Sequence, residues 1–136
     1  MASFEARGRC FVCSPENPYG IQARFVAEDG RCRAELALPK RYEGFVDTAH
    51  GGVVSALLDE AMFYALYSQG FWGATVELSV RFLKPTPCEE PIVVQGKVVG
   101  IRGRLGEAEA VVLRGEEELA RAVGKFLSVG TPPTSL

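Results

Sequence analysis

The segment His50-Gly51-Gly52-Val53-Val54-Ser55-Ala56-Leu57-Leu58-Asp59 combines a carboxylate with backbone groups suited to holding an oxyanion. Two glycines opening a helix leave N–H groups with no intrahelical acceptor and no Cβ to block approach. Such a terminus stabilises a developing negative charge. Asp59 lies further along the same helix, on the side of Ser55 and Gly52, at successive steps of three or four residues. A carboxylate set among Leu57, Leu58, Ala61 and Met62 is costly to bury without a partner or a task. The plain alternative is a structural aspartate bonded to the backbone or to Ser55. In the chemical reading, Asp59 is a catalytic carboxylate and the helix start at Gly51 an oxyanion donor. Eight residues separate the two, about 12 Å along one helix, yet both must come within about 3 Å of the reacting group. One helix cannot do this. Two helices packed antiparallel across a two-fold axis can, so a catalytic segment of this kind predicts at least a dimer with shared sites.

The elements that must position these groups are legible from periodicity. Residues 1–20 read as an irregular opening, with turn formers at Ser14-Pro15-Glu16-Asn17-Pro18-Tyr19-Gly20. Strands are expected at Ile21–Glu28 and Cys32–Leu38, joined by a tight turn at Asp29-Gly30. Lys40–Ala49 is a loop. From Gly51 to about Gln69 apolar residues surround the helix on almost every side, the pattern of a buried helix. Residues 74–84 alternate cleanly: Val76, Leu78, Val80 and Phe82 face one way, Thr75, Glu77, Ser79 and Arg81 the other. Three more strands are expected at about 92–102, 107–114 and 119–128, and residues 130–136 should fray. Short links favour antiparallel pairing. One long apolar helix with one antiparallel sheet to bury it must be wrapped by that sheet, an α+β architecture in a single domain spanning 1–136.

Beyond its own chemistry, the His50-Gly51-Gly52…Asp59 spacing resembles the signature of hotdog-fold acyl-CoA thioesterases of the phenylacetate-degradation type. Gly73-Ala74-Thr75-Val76-Glu77, Arg81-Phe82-Leu83-Lys84-Pro85 and the opening Cys10-Phe11-Val12-Cys13 with Asn17-Pro18-Tyr19-Gly20 are similar too. The resemblance implies the hotdog fold and hydrolysis of an acyl-CoA without metal or redox cofactor, by a homodimer or a homotetramer of dimers. It implies Asp59 as general base or nucleophile and Gly51 as oxyanion donor. His50 would shape the turn, and Thr75 of the partner region would place water. Many members carry Asn or Gln in the loop before the His; here the position six before His50 is Gly44, and the nearest polar side chain is Glu43. Gly52, Glu43, Ser55, Arg81 and Lys84 are the substrate-binding candidates, with Arg102 and Arg104 as further cations for the CoA phosphates. Two other functions remain open: a non-catalytic acyl-CoA-binding module, and a hotdog hydratase or dehydratase. The latter class uses its catalytic His in other motifs, and the single His of this chain is in the Gly-Gly turn.

Composition sets limits. A chain of 136 residues with 47% apolar and 24% charged residues is an ordinary globular domain with one core. A net charge of -2 gives no basic field for nucleic acid or an anionic membrane. No apolar run reaches the length of a membrane span, and the first seven residues include an acid and no apolar core of a signal peptide. The expected location is the cytoplasm, with Cys10, Cys13, Cys32 and Cys88 as reduced thiols. Cys10-x-x-Cys13 has the form of a metal or redox motif, but no second closely spaced pair completes four zinc ligands, so no metal is expected. Glu60, about 100° around the helix from Asp59, is expected in a salt bridge or an interface. Tyr64, Tyr67, Phe71 and Trp72 are expected in the core and along the wall of a tunnel.

Overall fold

The computed structural model describes residues 2–3 and 8–132. Seven antiparallel strands form one sheet: β1 (Ala2–Ser3), β2 (Val26–Glu28), β3 (Arg31–Ala37), β4 (Gly73–Phe82), β5 (Pro91–Arg102), β6 (Leu105–Arg114) and β7 (Glu117–Ser128). Their spatial order is β1-β2-β3-β5-β6-β7-β4. The sheet curls around one long helix, α1 (Gly51–Tyr67), which touches every strand from β2 to β7. The α+β expectation holds. Of the tail expected to fray, residues 133–136 lie outside the described residues.

Turn chemistry fixes the hairpins. Asp29 and Gly30 both take positive φ, 50° and 81°, the twist a two-residue β2–β3 turn requires. Gly103 and Gly115 supply positive φ to the β5–β6 and β6–β7 turns. Three expectations change. The strand expected from Ile21 begins only at Val26, because Gln22 takes φ 57° and the Ile21 and Ala23 N–H groups bond to Phe11 and Val12 instead. Within the irregular opening, Ala2–Ser3 pairs with β2. And β4 does not neighbour β5: it crosses to the far edge and pairs with β7, while β5 pairs with β3.

The core lies between α1 and the concave face of the sheet. Leu57, Leu58, Met62 and Leu66 are fully buried there with Phe25, Ile92, Val94 and Phe126, each large side chain contributing roughly 1.5–3 kcal/mol of burial. The helix is buried except along one side. Gly52 is exposed, and Ser55, Ala56, Asp59 and Phe63 are only half-buried. Beside that side, β4 is an edge strand with Val76 at 58%, Leu78 at 37% and Phe82 at 54% exposure. The helix, expected to be buried, thus shares one uncovered face with β4 within the chain.

Close approach of α1 to the sheet depends on Gly96. A Cβ there would stand 2.5 Å from the Ala61 carbonyl oxygen and 2.9 Å from Cys32 Sγ. Gly100, on the same strand, has nothing within 4 Å of its virtual Cβ. Gly96→Ala is therefore expected to destabilise the fold by about 1–3 kcal/mol, and Gly100→Ala by less than about 0.5 kcal/mol. Urea unfolding of both variants tests this; equal midpoints would remove Gly96 as the contact that seats the helix.

Candidate active site

The helix start is built by its cap. His50 precedes α1 with φ -58° and ψ 136°, and its Nδ1 accepts the Gly52 N–H at 2.9 Å. The imidazole therefore does the work usually done by Ser, Thr or Asp at this position. It presents Nδ1 as an acceptor, so in its neutral form the proton sits on Nε2. His50 shapes the turn, as expected. Gly52, a substrate-binding candidate, has its N–H engaged by this cap. The Gly51 N–H has no acceptor among the described residues, which leaves it as the free donor at the helix start. Ser55 Oγ donates to the Gly51 carbonyl oxygen at 2.9 Å and so braces the same turn.

Gly51 opens onto a cavity of about 330 Å³ lined by Phe45, Thr48, Val54, Phe82, Lys84 and neighbours. Its wall is mostly apolar, with Lys84 at the rim paired to Glu117. A larger trough of about 490 Å³ lies between Arg33, Lys97, Glu109 and Arg121 on the sheet and contains none of the residues expected to do chemistry.

Asp59 sits two turns further along α1. Its Oδ1 accepts the Thr75 hydroxyl at 2.7 Å, not a backbone group or Ser55. Partial burial pushes the Asp59 carboxyl above the ordinary carboxylate range, and the Thr75 bond opposes that rise. Thr75 reaches Asp59 because of a defect in the strand. The β4–β7 register shifts between Thr75 and Glu77, so Thr75 pairs with Phe126 and Glu77 with the adjacent Lys125. One extra residue, Val76, reverses the parity. Thr75 then shares the helix-facing side with Leu78, Val80 and Phe82, whereas simple alternation had assigned it to the side of Glu77, Ser79 and Arg81. The Thr75–Asp59 contact is made within one chain, where the resemblance had placed Thr75 in the partner region.

The remaining candidates disperse. Glu43 is exposed, and its carboxylate accepts the Asp47 N–H at 2.9 Å within its own loop. Arg81 pairs opposite Arg121 on the outer face of the sheet. The register puts Arg81 and Lys84 at the Gly51 end of the molecule, and Arg102 and Arg104, at the β5–β6 turn, at the other end. Glu60 forms no salt bridge among the described residues: it accepts the Cys10 thiol at 2.9 Å, and burial first, then that bond, push its carboxyl up to about 8. Of the aromatics, Tyr64, Tyr67 and Phe71 are buried as expected, and Trp72 packs against Phe63 and Tyr67. The bulge and the Cys10–Glu60 contact escaped sequence reasoning. The only sequence signal for the bulge is Thr75 itself, a polar residue needed on an apolar face.

Comparison with known proteins places this arrangement. Residues 47–121, just over half of the chain, match the family model of the thioesterase superfamily. A solved thioesterase superfamily protein is 31% identical with a TM-score of 0.80 over 86% of this chain, which spans 59% of that protein's length. A protein of Archaeoglobus fulgidus whose esterase assignment is provisional is 26% identical over 119 residues, 85% of this chain and 77% of the relative. The fold also matches a Streptococcus mutans protein bound to acetyl-CoA, at 20% identity and TM-score 0.77 over 82% of this chain and 91% of that one. It matches the Escherichia coli PaaI protein of the phenylacetic acid degradation operon, at 20% identity and TM-score 0.71 over 76% of this chain and 75% of that one. With a family model spanning both the helix start and the strands that carry Thr75 and Asp59's surroundings, the chain belongs to the thioesterase superfamily and has its hotdog fold.

Proposed function

We propose that this protein is an acyl-CoA thioesterase acting in the cytoplasm as a homodimer or a larger assembly of dimers. The observation that carries the reading is the division of labour along α1: a free Gly51 N–H at its start and a half-buried, Thr75-bound Asp59 two turns on. The two are about 12 Å apart in one chain. The uncovered side of α1 and the bare edge of β4 offer a self-complementary surface on which a second copy can pack. Antiparallel packing would bring the Asp59 of one chain to the Gly51 of the other. It would also bring the Arg102–Arg104 end of one sheet beside the Lys84 end of its partner, gathering cations for the phosphates of CoA.

In this mechanism the thioester carbonyl oxygen accepts the Gly51 N–H, and charge developing there is held by the helix terminus. Asp59 attacks the carbonyl carbon itself or takes a proton from the water that does. The C–S bond then breaks. CoA leaves as thiolate and recovers a proton; where Asp59 was the nucleophile, a water then cleaves the acyl–Asp59 anhydride, and in both routes the acyl group is released as the acid. Thr75 holds Oδ1 of Asp59 and leaves Oδ2 for the reaction. No step calls for a metal or redox cofactor.

Asp59→Asn is expected to keep fold and assembly while lowering turnover at least ~100-fold, the usual loss when a general base is removed. A thiol-release assay over short, long and aromatic acyl-CoAs measures this; turnover within threefold of wild type would refute Asp59 as the catalytic carboxylate. Thr75→Val should cost about tenfold, near the worth of one hydrogen bond to a charged group, and Thr75→Ser should restore most of it. Equal rates for Val and Ser would reduce Thr75 to packing. For the shared site, the partner of Asp59→Asn is Gly51→Pro, which deletes the donor at a helix position that tolerates proline. The extended ψ of His50 suits a residue before proline. Mixed at equal ratio, the two inactive parents should regain about a quarter of wild-type activity, since about half the dimers are mixed and each has one intact site. If mixed dimers form and stay inactive, each site lies within one chain.

A further inference from the structure

The opening segment contains a cluster that the thioesterase reading does not use. Residues 11–13 form a turn in which the Ser14 N–H bonds the Cys10 carbonyl at 3.1 Å and the Cys13 N–H donates to Cys10 Sγ at 3.5 Å. Both thiols are free and half-buried. Glu60 faces them from α1, its carboxylate 2.9 Å from Cys10 Sγ. The two sulfurs and a Glu60 oxygen all lie within 4.8 Å of one another. The segment reaches this place because its backbone is tied to β2's approach through Ile21–Phe11 and Ala23–Val12 bonds, and because the Ser14 hydroxyl, fully buried, bonds the Gly8 carbonyl.

Three acidic groups converge at this partly dry site, and the groups acting on them most strongly are one another, Tyr64 and Asp59, none of which is a cation. A cluster of acids with no positive partner among the described residues is an arrangement that a divalent ion completes. The donor set selects which ion. Two thiolates with two residues between them and one carboxylate suit a borderline-soft, tetrahedral metal, and calcium or magnesium would require oxygen ligands. Zinc–sulfur bonds of about 2.3 Å put two sulfurs roughly 3.8 Å apart in a tetrahedron, within the spread seen here. We propose that Cys10, Cys13 and Glu60 form a zinc(II) site, with water as fourth ligand, that fastens residues 8–20 to α1. Binding releases the protons of the thiols and the carboxyl to solvent and changes no oxidation state. The third ligand is the one that spacing did not reveal: Glu60 is 47 residues from Cys13 in the chain. Glu60 also adjoins Asp59, so the ion would steady the turn of α1 that carries the carboxylate.

The test uses the full chain, reduced and stripped of metal, titrated with cobalt(II) as a spectroscopic stand-in and then with zinc. One cobalt per chain should give sulfur-to-cobalt charge-transfer absorption in the near ultraviolet and the visible bands of a tetrahedral ion, both displaced by zinc. Cys10→Ser and Cys13→Ser should abolish the charge-transfer band or weaken it severely, and Glu60→Gln should weaken zinc binding at least ~10-fold. Should a cysteine variant fail to fold, protection of Cys10 and Cys13 from alkylation by zinc in the wild-type chain, read by peptide mass spectrometry, gives the same answer. Absence of cobalt uptake by the folded wild-type chain overturns the site, as does uptake unchanged in the Cys10→Ser/Cys13→Ser double variant. A Cys10–Cys13 disulfide in freshly purified, metal-free protein makes the pair a redox couple and overturns it too.

Discussion

The approach of the α1 backbone to the floor of the sheet governs this molecule. The Ala61 carbonyl lies so near Gly96 that a single added carbon would stand 2.5 Å from it. At that distance the side chains of Leu57, Leu58, Met62 and Leu66 fill the concave face completely, and the sheet has to curl to meet them. The curl is finite because the helix has a second side. The seven-stranded sheet does not close on itself, and one strip of α1 and the edge strand β4 are left uncovered together.

That strip carries the candidate carboxylate. Asp59 is on it, at partial rather than complete burial, which keeps the carboxyl reachable while raising its affinity for a proton. The bulge at Val76 belongs to the same design. Without the extra residue, β4 would offer an apolar side chain to Asp59 and send the Thr75 hydroxyl to the outer face. A carboxylate on an otherwise greasy helix then has a donor, and one that fixes a single oxygen. At the helix start the cap makes a comparable choice: His50 satisfies the Gly52 N–H and leaves that of Gly51 to a ligand. The exposed strip of α1 thus carries the Gly51 donor at its start and the Asp59 carboxylate two turns on, and the rigidity of one helix keeps them apart.

The opening segment repeats the logic of long-range assembly on a smaller scale. It has almost no regular structure of its own between residues 8 and 20 and borrows its position from contacts to the approach to β2 and to α1. Cys10 meets Glu60 only because both the turn and the helix are already placed. The residue beside the catalytic candidate therefore answers to a different part of the chain than Asp59 does.

Sequence alone determined what is local or periodic. The limits of α1, the Asp29-Gly30 turn, the antiparallel character of the strands, and the pairing of a glycine helix start with a carboxylate all follow from spacing and from the conformations that particular residues allow. The separation of Gly51 from Asp59 follows too, since the rise of a helix is fixed by its hydrogen bonds. Tertiary structure decided whatever depends on which distant segments meet. A strand's alternation says which side chains share a face but not where a bulge reverses that face, so Thr75 looked outward in sequence and points inward in space. Alternation also says nothing of a strand's place in the sheet, so the edge position of β4 was not legible from it. Glu60 shows the same limit from the other direction. In sequence it reads as a salt-bridged or interface residue, but a helix side chain finds its partner in whatever segment is laid across it, and here that segment carries Cys10 and Cys13.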